Sequence, residues 1–246
     1  MAKSFNHNKH LKGFTLAEVL ITLGIIGIVA AMTLPAVISG YKKSVVINKL
    51  RKNYSLFAQA VEMAELKHGF SDEWPTCTGA SSFECTENFF KNYLSPELHV
   101  IKTCTQSNLS ECWKTPQSLS GQTTYLNPNK VNSYSITAIL NNGTSILMWA
   151  GGQAGTNPHW QIWLDLDGPN KGRGIIGSDV FRLMLWYKTT TSHKKGISIS
   201  ADGGDVKTDP IYGCSTNANH ACAGLNCAAL IQASGWTIPD DYPVHF

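Results

Sequence analysis

Twenty residues in a row, Val19 to Ile38, carry no charge, and no other feature constrains the fold of this chain as strongly. A helix of that length rises about 30 Å, the thickness of a bilayer's hydrocarbon core. Lys3, Lys9 and Lys12, with His7 and His10, stand before it. By the positive-inside rule they hold the N-terminus in the cytoplasm and send everything after Ser39 outward. One carboxylate, Glu18, sits at the entrance. A plain membrane anchor gains nothing from it, because an unpaired carboxylate in hydrocarbon costs several kcal/mol. A cleaved secretory signal with its cut near Ala30 and Ala31 explains the segment no better. It leaves Met32 to Ile38 as an apolar overhang and takes away the partner of the helix that follows.

The cysteines agree with an outward-facing chain. There are seven: Cys77, Cys85, Cys104, Cys112, Cys214, Cys222 and Cys227, none in a CxxC pair of the zinc or thioredoxin kind. Cys77 and Cys85, Cys104 and Cys112, and Cys214 and Cys222 are each eight positions apart, and "CTGASSFEC" and "CTQSNLSEC" begin and end alike. Short disulfide loops in an oxidising compartment follow. Seven is odd, so either Cys227 is the leftover thiol, or Cys222 pairs with Cys227 and Cys214 is free. Buried reduced cysteines are the plainer alternative. A net charge of +3 with scattered Lys and Arg gives no concentrated basic face, so there is no strong case for nucleic acid.

The stretch "KGFTLAEVLI", Lys12 to Ile21, resembles the N-terminal signal of type IV pilins and type II secretion pseudopilins. The resemblance implies a leader, Met1 to Gly13, that prepilin peptidase removes between Gly13 and Phe14, and N-methylation of Phe14. It also implies a filament in which the new amine of Phe14 on one subunit neutralises Glu18, fifth in the mature chain, on its neighbour. A charge pair shielded inside a helical bundle fixes axial register. Gly24 and Gly27 suit close helix packing, and Pro35 suits a kink or a melted turn in the assembled filament. The match is specific from Lys12 to about Pro35 and architectural beyond it.

Further along, Ile47, Leu50, Tyr54, Phe57, Val61 and Ala64 fall on one face of a helical period between Val45 and Lys67. A short helix is expected over Thr86–Leu94, with Thr86 as its cap and Ser95-Pro96 as its stop. "SYSITAIL" and "TSILMWA" flank Asn141-Asn142-Gly143 as a hairpin, and "HWQIWLDL", "DVFRLMLWY" and "GISIS" are further strands. The expected fold class is α+β: a pilin-like lollipop, its long N-terminal helix packed on an antiparallel β-sheet head with disulfide loops. The expected segments are a leader at 1–13, a transmembrane or filament-core helix at 14–38, an amphipathic outer half at 39–68 and the head at 69–246.

Within the head, Asp165, Asp167, Asn170 and Asp179 are hard oxygen donors around a Gly-rich loop. They suggest a calcium site like that of some pseudopilins, although the bidentate Glu of a complete calcium loop is missing and a turn capped by its own aspartates accounts for the same letters. In the tail, "CAALIQASGWTIPDDYP" looks like a pseudopilin-type closing segment, with Gly235 as a turn. Trp160, Trp163, Trp236 and Tyr242 are candidates for partner or sugar contact, with core packing the favoured reading. His68, His99, His159, His193 and His220 occur singly and no hydrolase motif appears, so no catalytic residue is assigned and the chain is not expected to be an enzyme. The expectation is a pseudopilin or minor pilin in the bacterial inner membrane, single-pass, with its head in the periplasm or outside. Its partners are then other pilin subunits and prepilin peptidase. A DNA-uptake pilin and a membrane-tethered exported binding protein or enzyme are the alternatives.

Overall fold

The structure, a computed structural model, describes residues 13–77, 83–153, 156–199 and 202–246. The basic residues of the leader and the interior of the first cysteine loop, residues 78–82, lie outside them. The chain divides into two compact units, one of residues up to Lys42 together with Phe246, the other Lys43–His245.

In the first unit one element dominates. Helix α1 (Leu16–His68) begins here and has Pro35 inside it without ending. Every large apolar side chain from Phe14 to Ile38 is exposed: Phe14 is 88% exposed, Ile21 63% and Val37 68%. A helix that is apolar all round and buries none of that surface has lipid or other helices as its proper solvent. Its polar side chains fit such a solvent. The Thr22 hydroxyl donates to the Val19 carbonyl at 2.9 Å and the Thr33 hydroxyl to the Val29 carbonyl at 3.0 Å, so neither is left unpaired.

In the second unit α1 changes character. It buries one stripe, Leu50, Asn53, Phe57, Ala60, Val61 and Ala64, close to the expected face. The difference is Asn53, polar yet 1% exposed. Its amide donates to the Thr144 hydroxyl at 3.0 Å and accepts from the Asn142 amide at 3.1 Å, which ties α1 to the turn around Gly143. Lys49 adds a 2.7 Å ion pair to Asp167, and Tyr54 donates to the Ile197 carbonyl at 3.3 Å.

Six antiparallel strands follow in chain order as one meander: β1 (Val100–Cys104), β2 (Ser135–Leu140), β3 (Ser145–Gln153), β4 (Thr156–Asp165), β5 (Val180–Trp186) and β6 (Gly196–Ser198). The β2–β3 register runs from Ser135 opposite Trp149 to Ile139 opposite Ser145, with Gly143 at φ 85° supplying the left-handed position that the turn requires. Strand β5 is buried at every residue, because cover lies on both faces of the sheet. One cover is a cluster of Trp113, Leu126, Val131, Ile176 and Leu225 over Leu147, Trp149, Trp163 and Val180. Trp160 and Trp163 are 0% exposed, which makes them core rather than contact residues.

Helix α2 (Phe83–Phe89) continues as a π-helical turn over Phe90–Leu94. It starts three residues before Thr86, so Thr86 is not its cap; its hydroxyl instead donates to the Tyr134 carbonyl at 2.8 Å. The helix delivers Phe89 to a stack on Trp160 at 4.1 Å between ring centroids. Short helices α3 (Leu109–Cys112), α4 (Pro128–Val131) and α5 (Cys227–Ala233) lie in the same unit.

Disulfides join Cys77 to Cys85 and Cys104 to Cys112. The third corrects the expected pairing: Cys214 bonds Cys227, across 13 positions, and Cys222 is the free thiol. Cys227 opens α5, where the space beside Gly177 is filled by its Sγ and Cβ. This places its Cα 4.7 Å from that of Cys214. Cys222 packs against the tryptophan cluster instead.

Candidate functional site

The N-terminal end of α1 is built as a capping box. The Glu18 Oε2 accepts from the Thr15 backbone N–H and from the Thr15 hydroxyl, both at 2.8 Å, while Thr15 Oγ1 accepts from the Glu18 N–H at 3.3 Å. The Val19 N–H donates to the Thr15 carbonyl at 3.2 Å and closes the first turn. Two of the N–H groups that a helix start leaves orphaned, those of Thr15 and Glu18, are thereby used. The motif Thr15-Leu16-Ala17-Glu18 is legible in sequence, and it gives Glu18 a partner within its own chain.

Around this cap the geometry is open. Gly13 and Phe14 are exposed. Nothing lies within 4 Å of where a Cβ would stand on Gly24 or Gly27. Neither glycine is demanded by this chain's own packing, so a smooth helix face is left for close approach by another helix. By length and composition α1 can cross a membrane.

The acidic loop after β4 is a separate place. Asp165 Oδ1 accepts from the N–H groups of Asp167 and Gly168, each at 3.1 Å. Asp179 Oδ1 accepts from the Ile175 N–H at 2.8 Å, and its Oδ2 from the N–H groups of Gly174, at 2.9 Å, and Arg173. Asp167 is paired with Lys49, and Asn170 is exposed. Burial, with Asp179 and Asp167 close by, pushes the Asp165 carboxyl up to about 7, against the two N–H groups that favour its charge. Among the described residues no group of three or more His, Cys, Asp or Glu is placed to hold a metal ion. As they stand, Asp165 and Asp179 close the loop on its own backbone amides.

His159 and His193 both pack against Trp186, with ring centroids 4.5 and 3.8 Å away.

Comparison with known proteins places both parts of the chain. Residues 8–34 match the prokaryotic N-terminal methylation motif, which spans the exposed helix start and its cap. Residues 36–143 and 169–246 match a family of unknown function, DUF6613. Prepilin peptidase-dependent protein D of Escherichia coli (strain K12) is 34% identical over 71 residues, 29% of this chain and 46% of that protein. The chain thus aligns with less than half the length of this curated relative. No solved structure matches. On the match that takes in most of its head and outer helix, the chain belongs to the DUF6613 family, and it carries a prepilin-type N-terminal methylation motif in front of it.

Proposed function

We propose that this chain is a pilin-like structural subunit, a pseudopilin or minor pilin, of a filament of the type II secretion or type IV pilus kind. The observation that carries the reading is an apolar helix exposed on all sides directly behind Gly13-Phe14, with its lone carboxylate fifth from Phe14. In this reading prepilin peptidase cuts before Phe14, the new amine is methylated, and the head is held on the outer side of the inner membrane by a single span. The helix leaves the bilayer for a bundle of like helices, where Glu18 meets the Phe14 amine of a neighbour. The head contributes packing and surface rather than chemistry.

Coexpression with a prepilin peptidase, followed by intact mass and N-terminal sequencing of the membrane-extracted chain, tests the reading. The expected product begins at Phe14 and carries one extra methyl group. An uncut chain, or one cut near Ala31, overturns it. Calcium at Asp165, Asp167, Asn170 and Asp179 is a separate proposal that asks the loop to exchange amide hydrogen bonds for an ion. Its support is a buried carboxyl crowded by two others, and its test is a calcium-dependent melting shift.

A further inference from the structure

Within the first unit, one stretch of α1 is less bare than the rest. Among residues 13–38 Ala30 alone is half-buried, and Ile38 is 45% exposed where Val37 beside it is 68%. An apolar groove of about 570 Å³ runs there. It is lined by Ala30, Ala31, Leu34, Pro35 and Ile38 of the helix and by Phe246, which is itself half-buried and belongs to the same compact unit.

The place of Phe246 matters because of what else shares that face. Gly24, Gly27, Ala31, Leu34 and Ile38 follow one another at intervals of three and four residues, which sets them on one side of a helix. The two glycines leave that side smooth, with nothing within 4 Å of the place of a Cβ. Helices that pack over glycine come to about 8 Å between axes, too close to admit a phenyl ring between them. Ala31 lies only about 6 Å further along the axis than Gly27. A second helix laid on the glycines at a shallow angle therefore meets Phe246 at the next turn. The residues just before Phe246 are held by bonds of the second unit. The Tyr242 hydroxyl donates to the Gly177 carbonyl and Arg173 to the His245 carbonyl, the latter at 2.7 Å, and Val244 is buried. None of these contacts uses the Phe246 side chain, so the ring can leave the groove while they stay in place.

We propose that Phe246 is an autoinhibitory plug. In a chain not yet joined to others its ring fills part of the groove beside Pro35, and a second copy's helix lies along the face from Gly24 to Ile38 only once the ring has swung out. The inference rests on the proposed filament role. It deepens that role by naming a contact inside each free subunit that holds back premature pairing.

The test uses the full chain coexpressed with prepilin peptidase and extracted in mild detergent, in two differently tagged copies. Phe246→Ala is expected to raise recovery of the second tag with the first about fivefold, and Phe246→Tyr, which keeps the ring, to stay at the wild-type level. The head's melting curve is expected to be the same in all three. A photoreactive benzoylphenylalanine in place of Phe246, irradiated in the unpaired chain, is expected to attach to residues 30–38 of its own chain. Attachment elsewhere overturns the plug, as does pairing that Phe246→Ala leaves unchanged or lowers. A rise in pairing that comes with a lowered head melt is aggregation and overturns it too. In each of these cases, cleavage before Phe14 and pairing of the wild type leave the filament reading standing. Chains that stay uncut and never pair overturn both.

Discussion

The two halves of α1 share a secondary structure and differ in almost everything else. From Leu16 to Lys42 nearly every apolar side chain is exposed; from Lys43 to His68 a single stripe is buried while lysines, glutamates and glutamine face out. Both halves are helical, so the helix itself does not record which solvent it was made for. Side-chain distribution does. The inner half is stable only where water is absent or other helices are present, whereas the outer half takes its stability from the sheet it lies on.

The sharpest way to break that contrast is truncation of a large side chain in each half. Phe57→Ala, at a position 0% exposed, is expected to lower head stability by about 3 to 4 kcal/mol. Ile25→Ala, 58% exposed in the single chain, is expected to leave the head's melting curve unchanged. Thermal melts of the detergent-solubilised protein measure both; an equal loss from the two variants sinks the distinction.

Loss of the Cys214–Cys227 bridge by a double change to Ala is expected to cost about 2 to 4 kcal/mol, against less than about 1 kcal/mol for Cys222→Ser. Alkylation of the unreduced, unfolded chain is expected to label Cys222 alone. Label on Cys227 brings back the pairing of Cys214 with Cys222.

A smaller effect concerns pH. Below the ordinary carboxylate range Asp165 holds its proton folded or unfolded. As pH rises toward 7 the unfolded chain releases it while the folded chain keeps it. Stability therefore falls through that window and stays lower above it. Asp165→Asn preserves the Oδ1 that accepts the two amides and removes the charge. It is expected to gain about 2 kcal/mol near pH 8 and almost nothing near pH 3. A gain of equal size at both ends refutes the assignment. If calcium binds the loop as proposed, adding it raises the wild-type melting temperature and leaves Asp165→Asn and Asp179→Ala unmoved.

The smallest expected effect on folding is at the cap. Thr15→Ala removes a capping hydroxyl worth about 1 kcal/mol to the first turn, visible as faster amide exchange there and invisible in the head's melt. Glu18→Val is expected to be as quiet in the melt, yet to abolish incorporation into filaments. Normal incorporation of Glu18→Val overturns the assembly role.

Much of this was legible in the letters. The uncharged run, the outer helix's stripe and the Asn-Asn-Gly hairpin declare themselves because periodicity and turn chemistry are local. Strand β1 does not. Val100–Cys104 is short, sits at the sheet edge and exposes three consecutive residues, so it lacks the alternation that marks a half-buried strand. Asn53 was equally hidden, since its burial depends on Thr144 and Asn142, some ninety positions away. The third disulfide depended on where α5 begins against Gly177, and equal spacing of cysteines has no knowledge of that. The capping box was the opposite case: Thr15 and Glu18 stood in plain view, but the carboxylate's expected role at a distance drew attention from the residue beside it.

That cap changes what assembly asks of Glu18. On the proposed function, a subunit waiting in the bilayer would hold its carboxylate already clothed by Thr15, not as a bare charge seeking relief. Joining a filament is then an exchange of one set of donors for another, and leaving it is the same exchange run backward. In the proposed filament, such a trade keeps the driving force of assembly small in either direction.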